Sequence, residues 1–182
     1  MTKVLRRTAA CALTAGLALS LTACGSGREY TVPKEACGIS INERTLDPFL
    51  FDGKELKVVG DSLIDTKGKG QGRCEISVDD WLVANLEVDK VDKLYDPMGD
   101  LDSFRFKNRD EIKDLPFEGL GAVGDYNAMV STGCAAPTAD HLVVLVTISL
   151  KAGGDVTERR EDIQDFTLDF VPKAKKALGC TA

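Results

Sequence analysis

The chain has 182 residues, with 29 acidic and 23 basic side chains, one histidine and six cysteines. Its net charge of −6 becomes −9 once the N-terminal export signal, residues 1–23, is removed, which argues against nucleic acid, anionic lipid head groups or polyanionic wall polymers as the main ligand, because each would be repelled. A chain of this length makes one domain with a real core.

Residues 1–23 have the layout of a bacterial export signal. A basic start at Lys3, Arg6 and Arg7 leads into the uncharged run TAACALTAGLALSLTA, which has 16 residues. That is shorter than the ~20 a membrane-spanning helix needs, so the segment reads as a removed targeting peptide. The run ends in LTAC, Leu21 to Cys24, which resembles the lipobox of bacterial lipoproteins. The resemblance implies a diacylglyceryl group on the Cys24 sulfur and cleavage in front of it. Two acyl chains at ~0.8 kcal/mol per buried methylene give stable anchoring. Removal of the signal leaves 20 basic against 29 acidic residues, a net charge of −9. Residues 24–36 follow as a small, polar, proline-bearing tether, and residues 37–182 form the single domain.

In chain order, ISINERTLDPFLF predicts a short helical element ending near Pro48, and KELKVVGDSL a strand. RCEISVD alternates Cys74, Ile76 and Val78 against polar neighbours, and WLVANLEVD follows after Asp79 and Asp80 to complete a hairpin. Residues 90–121 read as a long polar connection with one apolar patch, Phe104 and Phe106. AVGDYNAMVSTGC and HLVVLVTISL supply two more strands. The last helix is the clearest element: Ile163, Phe166, Thr167, Phe170, Val171, Ala174 and Leu178 form an apolar stripe over about Val156 to Leu178. Asp155 suits the N-cap and Gly179 the left-handed position that ends a helix. Pro172 predicts a kink or a division. The whole predicts an α+β fold: an antiparallel sheet of about five strands, a short N-terminal helical element and a long C-terminal helix packed on the sheet.

The chain resembles the small uncharacterised lipoproteins exported by actinobacteria. LTACGSG, the early Cys37, the Cys74 strand, FEGLGAVGDYNAMVSTGC and a terminal helix closing in ALGC carry the resemblance. It implies an address more than an activity. With Cys11 lost in the signal and Cys24 lipidated, Cys37, Cys74, Cys134 and Cys180 remain for two disulfides. Their wide spacing, without a close pair, speaks against zinc. Topology favours Cys37 with Cys74 and Cys134 with Cys180, because each bridge then joins a terminal helical element to a strand. Cys37 with Cys180 and Cys74 with Cys134 is the alternative.

Gly60, Asp61, Ser62 and Leu63 resemble the nucleophile block of GDSL-type ester hydrolases. That chemistry needs a base for the serine, and His141, the chain's one imidazole, has Thr138 rather than an aspartate three residues before it. No helix signal follows Ser62. A serine without a placed base is a weak nucleophile, so the segment is expected to be a strand ending in turn residues. The acidic run Glu87, Asp89, Asp92, Asp96, Asp100 and Asp102 matches no calcium loop and is expected to be a solvated loop. Trp81 and Tyr126 are expected in the core. No cofactor fingerprint and no metal site is legible. Together these readings predict a lipid-anchored module on the extracytoplasmic face of the cell membrane. It would bind an envelope protein or a small molecule without catalysis. A Ser62 hydrolase and a structural accessory subunit of an envelope complex are the alternatives.

Overall fold

The computed structural model describes residues 27–65, 70–136, 139–152 and 154–181. The export signal, Cys24 and the first residues of the tether lie outside the described residues.

The N-terminal part is compact. β1 (Glu35–Ala36) and β2 (Ile39–Ser40) pair across a tight turn at Cys37 and Gly38, whose φ angles are 49° and 97°. Asn42 then accepts a hydrogen bond from the Arg44 N–H at 3.1 Å and caps α1 (Glu43–Leu46). A 3-10 turn, Asp47–Phe49, continues it with Pro48 in the first turn, where a missing N–H costs nothing. This is the short helical element the sequence predicts, and it buries Leu46 and Phe49.

The tether is shorter than its composition suggests. From Arg28 onward the chain is docked: the Glu29 N–H donates to the Gly53 carbonyl at 2.8 Å, and the Tyr30 hydroxyl to that of Phe51 at 2.6 Å. Arg28 donates to the Leu50 carbonyl at 2.7 Å and pairs with Asp47. Tyr30 and Val32 pack on the core, and these two apolar residues were the sequence sign that the segment is not free.

The main sheet has seven strands rather than about five: β3 (Leu56–Gly60), β4 (Gln71–Val78), β5 (Trp81–Val91), β6 (Asp110–Glu111), β7 (Gly119–Val123), β8 (Asn127–Ala136) and β9 (Ala139–Ile148). Their order is β3-β4-β5-β9-β8-β7-β6, and every neighbouring pair is antiparallel. Two causes explain the miscount. AVGDYNAMVSTGC holds two strands, because Gly124 to Tyr126 turns the chain and the Gly124 N–H closes on the Asn127 carbonyl at 2.8 Å. β6 is two residues long and too short to show a period. Since β5 lies beside β9, the chain leaves the sheet after Val91, crosses one face and re-enters as β6 and β7.

Period-two alternation sorts the strands into two faces. Cys74, Ile76, Val78, Leu86, Val88, Val130, Leu142, Val144 and Val146 are fully buried and share one core with α2 (Val156–Ala177), which packs on this sheet mainly at β8 and β9. The helix contributes Ile163, Phe166, Phe170, Val171 and Ala174, and Phe166 stands between Phe49 and Phe170 with centroid distances of 6.1 and 5.8 Å. Each such side chain contributes ~1.5–3 kcal/mol by leaving water. Asp155 caps the helix, accepting from the Thr157 and Glu158 N–H groups at 2.7 and 3.2 Å. Gly179 ends it at φ 72°. Of the two outcomes expected at Pro172, division does not occur: α2 runs through it unbroken. Phe166, Phe170, Val171 and Ala174 are buried on both sides of it, so packing outweighs the lost hydrogen bond to Leu168.

The two disulfides fall on this covered face. Cys37 joins Cys74, which ties the β1–β2 turn to β4, and Cys134 joins Cys180, which ties the end of α2 to β8. These are the favoured pairs.

Candidate functional site

The other face of the sheet carries the polar half of the same alternation. β4 presents Gln71 and Arg73, β5 presents Asn85, Glu87 and Asp89, and the register continues across β9 and β8 to Val143, Leu145, Met129 and Ser131. The crossing segment is laid over part of it. The Tyr95 N–H donates to the Ser131 hydroxyl at 2.9 Å, and the Asn127 side-chain amide to the Arg105 carbonyl at 3.0 Å. Between these points a 3-10 helix, Asp100–Arg105, stands on the sheet. Val91, Tyr95 and Phe106 pack against Met129, Val143 and Leu145.

A cavity of about 240 Å³ remains between the segment and the sheet, lined by Glu87, Asp89, Asp102 and Arg105 among polar residues and by Tyr95, Met129, Val143 and Leu145 among apolar ones. Broader depressions of about 680 and 430 Å³ adjoin it, sharing Gln71 and Asp89 on one side and Arg105 and Leu145 on the other, so the cavity is the deep middle of a groove.

Its three carboxylates differ in how far the protein satisfies them. Glu87 is held: Arg73 donates to Oε1 through Nε and Nη2 at 3.1 and 2.6 Å, Asn85 donates to the same oxygen at 2.7 Å, and Gln71 reaches Oε2 at 3.4 Å. Asp102 is 5% exposed. Its Oδ1 accepts from Arg105 Nε at 2.7 Å, while its buried Oδ2 has no partner among the described residues. Asp89 also has a buried, unpartnered Oδ1. Burial raises its pKa first and the Glu87 charge second, against a hydrogen bond from Gln71 and the Arg105 guanidinium. Asn85 Oδ1 is a further unpartnered acceptor. The site is short of donors.

A second group of buried charge shows the contrast. Asp125 is 1% exposed, yet it accepts from Asn108 at 2.9 Å and pairs with Arg160 at 3.3 Å and Lys107 at 3.6 Å. Its oxygens are saturated, and its role is to fasten the start of α2 to the β7–β8 turn. Asp102 and Asp89 are not saturated, and an unmade hydrogen bond of this kind costs ~1–3 kcal/mol.

The residues singled out in the sequence fall elsewhere. Ser62 follows β3, and its Oγ accepts from the Ile64 and Asp65 N–H groups at 3.2 and 2.9 Å, a local turn. Leu63 is fully buried and its N–H donates to the Cys37 carbonyl at 2.9 Å. Gly60, at φ 147°, passes too close to the Arg73 backbone for a side chain. His141 is the third residue of β9, opposite Val91. Three strand spacings of ~4.8 Å, about 14 Å in all, separate β3 from β9, so serine and imidazole are not brought together. Among the described residues no three of His, Cys, Asp or Glu are placed to hold a metal ion.

Two expectations are corrected. Glu87, Asp89 and Asp102 are not part of a solvated loop: the first two lie on β5, and Glu87 and Asp102 are 8% and 5% exposed. The signal was present, since Asn85, Glu87 and Asp89 alternate with the apolar Leu86 and Val88. What no local pattern gives is that the 3-10 helix folds back to bring Asp102 over them. Trp81 is not core but 55% exposed, whereas Tyr126 is half-buried with the Arg159 guanidinium 4.7 Å from its ring centroid. No family model, curated protein or solved structure matches the chain.

Proposed function

We propose that this chain is an extracytoplasmic lipoprotein, anchored through Cys24, whose open-face cavity binds a small organic cation with an apolar body, without catalysis. The observation that carries the reading is the Asp102 carboxylate, buried in the cavity wall with an oxygen that has no partner among the described residues. Asp89 adds a second such oxygen on the opposite wall. Both call for donors, and a protonated amine supplies them with charge. Met129, Val143, Leu145 and Tyr95 call for an aromatic or branched aliphatic body. At ~30 Å³ per water the space equals about eight waters, which suits a ligand of roughly ten non-hydrogen atoms. The lipobox, the export signal and the two disulfides support the address.

Thermal denaturation with phenethylamine as the probe tests the cavity. Ligand at about ten times its Kd adds ~1.4 kcal/mol, a rise of about 3–5 °C for a domain of this size. Phenylpropionate, of similar shape and opposite charge, is the control. An equal rise with both, or with neither, removes the reading. Intact-mass analysis of the membrane fraction tests the anchor: a mature form starting at Cys24 without lipid mass would overturn it.

A further inference from the structure

Among the exposed apolar side chains of the sheet, Val59 and Leu120 stand singly on β3 and β7, whereas Trp81 and Leu82 stand side by side at one end. Trp81, the chain's single tryptophan, opens β5 just after the Asp79–Asp80 turn and is 55% exposed. Leu82 beside it is 42% exposed. The end of β9 lies against them: the Ser149 N–H donates to the Val83 carbonyl at 2.9 Å, Leu150 is 70% exposed, and Lys151 Nζ stands 2.9 Å from the centroid of the Trp81 ring. An indole topped by a lysine ammonium, with leucines exposed at the same end of the sheet, is the combination favoured at a membrane–water boundary.

The N-terminus of the docked chain arrives at this same end. Arg28 bridges to Gly53, and Gly53 lies directly against Val78, the residue paired with Trp81 across the hairpin. Only Gly25, Ser26 and Gly27 lie between Cys24 and Arg28, so the two are at most ~14 Å apart along the chain. From Trp81 the strand β5 runs ~33 Å to Val91. A lipid on Cys24 therefore holds the Trp81 end near the bilayer and leaves the Val91 end distant.

We infer that the surface formed by Trp81, Leu82, Leu150 and Lys151 seats on the bilayer interface, fixing the orientation of the domain on its membrane. This rests on the lipid-anchor reading. The acids of this end are largely engaged: Asp80 pairs with Lys57 at 2.8 Å, Asp47 pairs with Arg28, and Asp79 accepts from the Lys54 and Glu55 N–H groups at 3.0 and 2.9 Å. The open-face groove runs along the side of the sheet, so seating this end leaves it facing the aqueous space.

Because Trp81 is the only tryptophan, its fluorescence reports the contact directly. The processed, lipidated protein is purified and reconstituted into phosphatidylcholine vesicles. The emission should shift to the blue relative to the protein in detergent-free dilute solution after lipase removal of the acyl chains. It should also be lost when the vesicles contain lipids brominated high on their acyl chains. In the double variant Leu82→Ser, Leu150→Ser the quenching should fall while flotation with the vesicles and the melting temperature stay unchanged. Protein that floats with the vesicles but whose emission ignores the brominated lipid overturns the contact and leaves the anchor intact. Protein that does not float overturns the anchor reading and the contact with it. A blue shift that follows protein concentration and not lipid would mean a second copy covers Trp81, which also overturns the inference.

Discussion

The two faces of the seven-stranded sheet are written in alternate residues of the same strands, yet they do opposite things. On the helix side Leu86 and Val88 belong to one closed apolar core with Phe166 and Phe170, and both disulfides fasten that core at its ends. On the open side their neighbours Glu87 and Asp89 line a cavity in which carboxylate oxygens lack donors. The difference teaches that one face can carry enough stability for the other to keep costly, unsatisfied groups. Marginal stability leaves little room for such groups unless they have a use.

If the division holds, damage to the helix face should cost stability and leave ligand affinity alone. The largest effect is expected from reducing both bridges. Their sequence separations of 37 and 46 residues correspond to a ceiling of ~4 kcal/mol each in the chain-entropy model, so the melting temperature should collapse in a reductant titration followed by circular dichroism. Next is Phe166→Ala. The ring is 1% exposed, and its loss should cost ~3–5 kcal/mol in denaturant unfolding, with phenethylamine affinity per folded molecule unchanged.

Changes on the open face should reverse that pattern. Arg73→Met strips Glu87 of its cation and leaves Asn85 and Gln71 to hold it; because Arg73 is itself well exposed, the loss should be only about 1 kcal/mol, read by chemical denaturation. Asp102→Asn should change stability by less than about 1 kcal/mol but weaken phenethylamine binding about tenfold or more, the worth of a hydrogen bond to a charged group.

The smallest effect concerns pH. The Asp89 pKa is raised in the folded state by burial and by Glu87. Between its ordinary value and the raised one, the folded chain holds more protons than the unfolded chain, so Asp89 makes stability fall as pH rises through that window. Asp89→Asn should flatten this part of the stability profile and stabilise the domain slightly at neutral pH. Binding of the amine should strengthen over the same window as Asp89 ionises, and should lose that dependence in the variant.

Much of the covered face was legible in the sequence, because a 3.6-residue stripe from Ile163 to Leu178 and period-two runs such as Cys74, Ile76, Val78 are local patterns. The disulfide pairs followed from the same layering. The strand count was not legible where strands are two residues long or meet at a turn as tight as Gly124–Tyr126. The site was half legible. Alternation on β5 placed Glu87 and Asp89 on one face, but Asp102 reaches them through the return of a polar segment with no period of its own. Trp81 was misread because an aromatic beside strand residues is usually core; it stands at the end of the sheet, where Lys151 crosses its ring, and is left 55% exposed.

The most direct test of the central claim is calorimetric titration of phenethylamine into the purified protein, with phenylpropionate and Asp102→Asn as controls. Saturable binding at one site is the predicted result, weakened about tenfold by Asp102→Asn and absent for the carboxylate. Binding that is indifferent to Asp102→Asn, or equal for the amine and the carboxylate, would contradict the assignment of the open face as a cation site.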